Sequence, residues 1–252
     1  MLSVFFALSY SVFEEDIVTY PIKGFNPHTF IDWDGMLACV IYLPGCNFLC
    51  PFCHSSVLAT DPDSLKTVPF EHIERFIKEK KGWIDAMIIG GGEPTLYKQL
   101  PDLIKDIKKM QLLVKLDTNG SNPRMLADLI SQGLVDYVAM DIKSSLEQSN
   151  YDKAAGVSVD LIAIRKSIDI LLNSGIDYEF RTTFVPTLVE RADIINIAQA
   201  ISGAKKFVLQ QFDPKDILDC RLSAIKPHTP EVLNQAASLA REFVKNCSVR
   251  GI

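Results

Sequence analysis

The sequence predicts an α/β protein built around a parallel sheet. Short apolar, β-branched or aromatic runs alternate with stretches of helical spacing along the 252 residues. Parallel strands need crossovers, and the helical stretches supply them. Polar residues gather just after the apolar runs, at the expected carboxyl ends of strands, where such sheets bind ligands. About six βα units fit a barrel, complete or open, and equally a doubly wound open sheet.

Strands are expected over residues 36–43, 86–89, 112–116, 137–142, 178–185 and 206–212. Residues 70–80 place Phe70, Ile73, Phe76 and Ile77 on one helical face, and 99–110 does the same with Leu100, Leu103, Ile104 and Ile107. Pro123 suits a first helical position with Asn122 as cap, and this helix is expected to reach Gln132 before Gly133. A helix over 161–174 is read as ending at Gly175 in a left-handed turn, and helices over 194–201 and 230–245 complete the set. No repeat, low-complexity tract or linker divides the chain, so residues 20–252 read as one domain. Residues 1–19 read as an N-terminal extension or peripheral strand. The apolar stretch 1–13 has no preceding Lys or Arg, meets Glu14, Glu15 and Asp16, and is shorter than the ~18 residues of a spanning helix. The expected compartment is the cytosol.

Apolar residues make up 48% and charged residues 23%, a globular composition rather than a disordered one. A net charge of −5 with no basic cluster argues against capture of nucleic acid or an anionic membrane. The chain is long enough to hold a core without disulfides. Its six cysteines, at 39, 46, 50, 53, 220 and 247, do not read as a secreted scaffold.

The polar clusters are specific. The first strand runs into Gly45-Cys46-Asn47-Phe48-Leu49-Cys50-Pro51-Phe52-Cys53-His54, and the second into Gly90-Gly91-Gly92-Glu93-Pro94. The third ends in Asp117-Thr118-Asn119-Gly120 and the fourth in Asp141-Ile142-Lys143. The fifth carries Arg181-Thr182-Thr183, and the sixth ends at Gln210-Gln211. Cys46, Cys50 and Cys53 have C-x3-C-x2-C spacing, and three soft ligands on one loop suit an iron–sulfur cluster or zinc. A structural zinc wants four closed ligands, with His54 the awkward candidate for the fourth. A 4Fe-4S cluster on three cysteines instead leaves one iron open. Cys39, Cys220 and Cys247 read as small hydrophobes. His28, His72 and His228 read as surface residues, and His54 as solvent-facing or behind the cysteines. Arg181 inside a barrel needs an anionic partner, either a ligand or an internal ion pair.

The cysteine spacing with Phe52 before the third cysteine, together with Gly91-Gly92-Glu93-Pro94, resembles the radical S-adenosylmethionine superfamily. Asp117-Thr118-Asn119-Gly120, Asp141-x-Lys143 and Arg181-Thr182-Thr183-Phe184-Val185-Pro186 narrow the likeness to the glycyl-radical-enzyme activases. The pattern is most similar to the longer type of anaerobic ribonucleoside-triphosphate reductase activating protein, over residues 24–251. The resemblance implies a partial (open) TIM-type barrel of about six βα units. It implies one 4Fe-4S cluster on Cys46, Cys50 and Cys53, with S-adenosylmethionine chelating the open iron. No catalytic side chain beyond cluster and cofactor is implied. One electron would cleave the sulfonium, and the resulting adenosyl radical would take a hydrogen from a glycine of a partner enzyme.

The cofactor would contact Phe52, Gly91, Gly92, Glu93, Pro94, Asn119, Lys143 and Arg181. Asp117, Thr118 and Asp141 resemble positions that hold a small cation beside the cofactor carboxylate, with helix capping as their plain alternative. Gln211 is a further polar contact for adenosine. A flavodoxin or ferredoxin is the implied electron donor. The segment from Gly24 to Gly35 departs from the family pattern, and no cysteine lies between Cys53 and Cys220 to hold a further cluster. Two other readings stand beside this one: a radical enzyme acting on a small molecule, as deazaguanine synthases do, and a non-catalytic metal protein.

Overall fold

The computed structural model describes residues 20–252; the expectation for residues 1–19 lies outside the described residues. A single eight-stranded sheet has the order β1 to β8 in sequence, and its two edge strands do not pair, so the barrel is open. The strands are β1 (Gly24–Thr29), β2 (Ala38–Leu43), β3 (Ala86–Gly91), β4 (Leu113–Thr118), β5 (Tyr137–Asp141), β6 (Asp177–Phe184), β7 (Phe207–Gln211) and β8 (Cys247–Arg250). The helices are α1 (Ser56–Thr60), α2 (Phe70–Glu79), α3 (Leu100–Lys109), α4 (Pro123–Ser131), α5 (Gln148–Ala155), α6 (Leu161–Leu172), α7 (Arg191–Ala200) and α8 (Pro230–Ala240). Strands β2 to β8 are parallel and form the expected partial TIM-type barrel.

Strand β1 was not expected. It pairs antiparallel with β2, and its register shifts between Asn26 and Thr29, around Pro27. Proline lacks a ladder donor, so an edge strand with an irregularity is where it can sit. Strand β8 and helix α5 were also missed: β8 has only four residues, and α5 (QSNYDKAA) is mostly polar. Helix α4 starts as expected, with the Asn122 side chain accepting from Met125 N. Helix α7 starts three residues before the expected Ile194, because Asp193 Oδ2 accepts from Glu190 N at 2.8 Å. Helix α6 stops at Leu172, and Gly175 does not take the left-handed turn expected of it, whereas Gly133 does, at φ 64°.

Period-two alternation divides each strand between two environments. Outward residues such as Ile41, Ile89, Leu116 and Phe180 join the large core beneath the helices. Inward residues of β2 and β3 form a small apolar cluster of Ala38, Val40, Ala86 and Ile88. From β4 onward the interior turns charged, with Lys115 and Glu179 1% exposed and Arg181 9% exposed. The segment after β1 meets the lower end of these strands: Trp33 packs on Tyr137 at 5.4 Å between centroids, and Lys206 Nζ reaches Asp34 at 2.7 Å. Among the described residues no helix is long and apolar enough to cross a membrane.

Candidate metal and cofactor site

The cysteine loop follows β2 and is fastened on several sides. Gly45 N donates to Leu58 O at 2.7 Å, and Leu49 N donates to Ala155 O at 2.9 Å. From the segment after β7, Leu218 N donates to Cys53 O and Asp219 N to Pro51 O. Cys46, Cys50 and Cys53 all line one cavity of about 280 Å³ at the carboxyl ends of the strands. Phe48 and Phe52 are buried beside them, whereas Leu49 is 42% exposed. Burial pushes the Cys50 thiol up to about 11, opposed by the Lys143 charge. Cys46 is raised for the same reason, with Phe48 N–H pulling the other way. A bound metal displaces these protons, since thiolate is the ligand.

The Gly-rich end of β3 packs directly against this loop. A Cβ on Gly92 would meet Gly45 O at 1.8 Å, and one on Gly91 would meet Leu43 O at 2.4 Å. Gly91 also has φ +115°, which disfavours any side chain. The close backbone approach at these glycines is one to the protein's own chain. Gly92 N donates to Leu43 O, and Glu93 N to Gly45 O.

Glu93 is 1% exposed and ties two strand ends together. Its Oε1 accepts from Thr95 N, Thr95 Oγ1 and Thr118 Oγ1, and its Oε2 accepts from Asn119 N at 2.6 Å. Burial raises its pKa against those four donors. Pro94 is buried at the start of a 3₁₀ turn. The Asn119 side chain donates to Asn47 Oδ1 of the cysteine loop at 2.9 Å.

The same cavity holds a row of ions. Arg181 Nε lies 2.8 Å from Asp141 Oδ1, and its Nη1 lies 3.0 Å from Asp117 Oδ2. Lys143 Nζ lies 3.0 Å from Asp141 Oδ2. Burial alone would raise the Asp141 carboxyl, but Arg181 and Lys143 hold it well below the usual range. Of the two readings of Arg181, the structure displays the internal ion pair. Asp117 Oδ1 is buried without a hydrogen bond, its nearest charge Lys115 Nζ at 3.6 Å.

Three expectations are corrected. Gln211 is not among the cavity-lining residues; its Nε2 donates to His228 O at 2.7 Å. His228 is half-buried rather than fully at the surface: its ring packs on Phe184 at 4.3 Å. Cys220 is exposed rather than a buried hydrophobe. Thr183, in the polar cluster of the fifth expected strand, lines the cavity; Tyr42 and Asp32 also line it and were missed, as were the charges of Lys115 and Glu179 beneath it. The available signal was Lys115-x-Asp117 and Glu179-x-Arg181, charges two apart inside apolar strands and so on one face.

The donor set fits the cluster and cofactor of the resembled family. Three soft sulfurs share a cavity with hard oxygen and nitrogen groups, among them a buried carboxylate oxygen that accepts no hydrogen bond. Among the described residues, no three His, Cys, Asp or Glu side chains surround one point as a single-ion site would require.

The profile of the Radical SAM superfamily matches residues 40–200. A protein of Methanocaldococcus jannaschii, named as a candidate glycyl-radical enzyme activating enzyme, is 31% identical over 238 residues, covering 92% of this chain and 96% of that protein. One of Thermoplasma volcanium, named as a GTP 3′,8-cyclase, is 26% identical over 80% of this chain and 63% of its own length. Among solved structures, Streptococcus suis SuiB bound to the precursor peptide SuiA superposes with a TM-score of 0.64 at 16% identity, over 84% of this chain. The chain spans 48% of that protein's length, and the likeness is one of fold.

Proposed function

The chain belongs to the Radical SAM superfamily, and we propose that it is an activase that generates a glycyl radical on a partner enzyme. An anaerobic ribonucleoside-triphosphate reductase is the partner proposed, with a cytosolic flavodoxin or ferredoxin supplying the electron and residues 20–252 acting as one domain. The observation that carries the reading is 31% identity, extending over 96% of a protein named for that activity.

A 4Fe-4S cluster with bound S-adenosylmethionine supplies one-electron cleavage of the sulfonium and, from it, a hydrogen-abstracting adenosyl radical. The chain's own residues prepare the place. Cys46, Cys50 and Cys53 hold the cluster, and Phe48 and Phe52 exclude water from it. Gly91 and Gly92 let β3 seat against the cysteine loop, and Glu93 locks that end to β4. Asp117, Asp141, Lys143 and Arg181 present alternating charge to a zwitterionic amino acid end, and Asn119 and Thr118 stand beside them. A cation bound by Asp117, Thr118 and Asp141 would have to draw those carboxylates from Arg181.

Anaerobic reconstitution should give about four irons and four sulfides per chain, and Cys50→Ala should lose them. The reduced protein should then form 5′-deoxyadenosine and, mixed with candidate glycyl-radical enzymes, an EPR doublet from a glycyl radical. The likeness to GTP 3′,8-cyclases supports a second reading, a small-molecule substrate. Nucleoside formation that accelerates with a small molecule, and no protein radical, would decide for it.

A further inference from the structure

Helix α5 places an unused polar group behind the cysteine loop. Tyr151 is fully buried; its hydroxyl lies against the Lys143 backbone N–H and has no acceptor for its own proton. One helical turn later, Ala155 O accepts from Leu49 N of the cysteine loop at 2.9 Å. The next residue, Gly156, has φ 72° and comes so close that a Cβ would meet Leu49 O at 2.0 Å. The C-terminal end of α5, one turn beyond Tyr151, is therefore pressed on this loop.

The charged and ionisable groups around the Tyr151 ring are Lys143, Cys50 and Asp141. A phenol, with an ordinary pKa of about 10, keeps its proton near neutral pH and so remains a donor. Cys50, Asp141 and Lys143 line the same cavity, and Tyr151 is buried beside them. A protonated hydroxyl with no acceptor there is costly unless an acceptor arrives. A thiolate ligating a cluster is such an acceptor, and hydrogen bonds toward cluster sulfurs raise the reduction potential.

We infer that Tyr151 is a positioning residue for the metal group held by the cysteine loop, its hydroxyl donating toward the Cys50 sulfur and stabilising the reduced state. This rests on the proposed cluster at Cys46, Cys50 and Cys53. An electron added to the cluster increases negative charge on its sulfurs, which strengthens a hydrogen bond donated to them.

The test uses the full chain, reconstituted anaerobically with iron and sulfide, beside Tyr151→Phe. Both are poised with dithionite and mediators at the wild-type midpoint, and the reduced fraction is read by EPR. The Phe variant should bind as much iron and sulfide as the wild type. Its reduced-to-oxidised ratio should fall about fivefold, the factor given by losing ~1 kcal/mol of differential hydrogen bonding. An unchanged ratio in a fully loaded variant overturns the inference. So does a variant unable to take up the cluster, since the hydroxyl would then serve folding alone. A wild-type chain that binds no iron sinks the cluster reading as well, so the two failures are told apart by the wild-type iron content.

Discussion

Arg181 and Asp141 occupy paired positions on adjacent parallel strands, and their side chains meet at 2.8 Å inside the barrel. Asp117, from the next strand, takes the other side of the same guanidinium at 3.0 Å. Removing the arginine leaves two carboxylates facing each other with only Lys143 and Lys115 nearby. Arg181→Met should therefore cost about 3 kcal/mol, the low end for a broken buried pair because both carboxylates keep some solvent contact. Urea denaturation measures it. Adding Asp141→Asn should recover part of the loss, and a double variant less stable than the single would refute the pairing argument.

The same pair sets an acid limit. Burial favours protonated Asp141, but Arg181 and Lys143 outweigh it and depress the carboxyl's pKa. A depressed native pKa means that the unfolded chain binds more protons in the acid range. The stabilisation is complete above the unfolded value of ~3.9 and is lost as pH falls toward the native value. Denaturation midpoints should drop below about pH 4 in the wild type and less steeply in Asp141→Asn. Identical pH profiles would count against it.

Gly92→Ala should displace the cysteine loop, because its new Cβ falls 1.8 Å from Gly45 O. Backbone on both sides cannot yield cheaply, so a loss of about 2–3 kcal/mol is expected, with weakened iron uptake. Gly175→Ala is the control: nothing lies within 4 Å of its Cβ and its φ is ordinary. It should be neutral or stabilising by up to about 1 kcal/mol. Equal effects at the two sites would remove the packing explanation.

Glu93→Gln keeps the shape but supplies one acceptor oxygen where four donors converge. The amide NH₂ must then face Asn119 N–H or the two threonine hydroxyls. About 1–3 kcal/mol should be lost, readable in chemical denaturation of the metal-free chain. A variant as stable as the wild type would show that the carboxylate is held for a ligand rather than for the fold.

By itself the sequence determined what short covalent spacing can carry. Three cysteines within eight residues must sit on one loop. Alternating strand and helix periods require parallel crossovers, and charges after strands fall at one end of a sheet. The six expected strands and six expected helices are all present, with shifted ends. Only the tertiary structure decided the partners. Gly92 meets Gly45 because two loops from neighbouring strands converge, and Glu93 reaches Asn119 across a strand boundary. Arg181 finds Asp141 at a separation of 40 residues. Which face of a strand turns inward depends on the curl of the whole sheet. That is also why Lys115 and Glu179, apparent errors in apolar strands, line the interior, and why the polar helix α5 could be placed only by the loop that it braces.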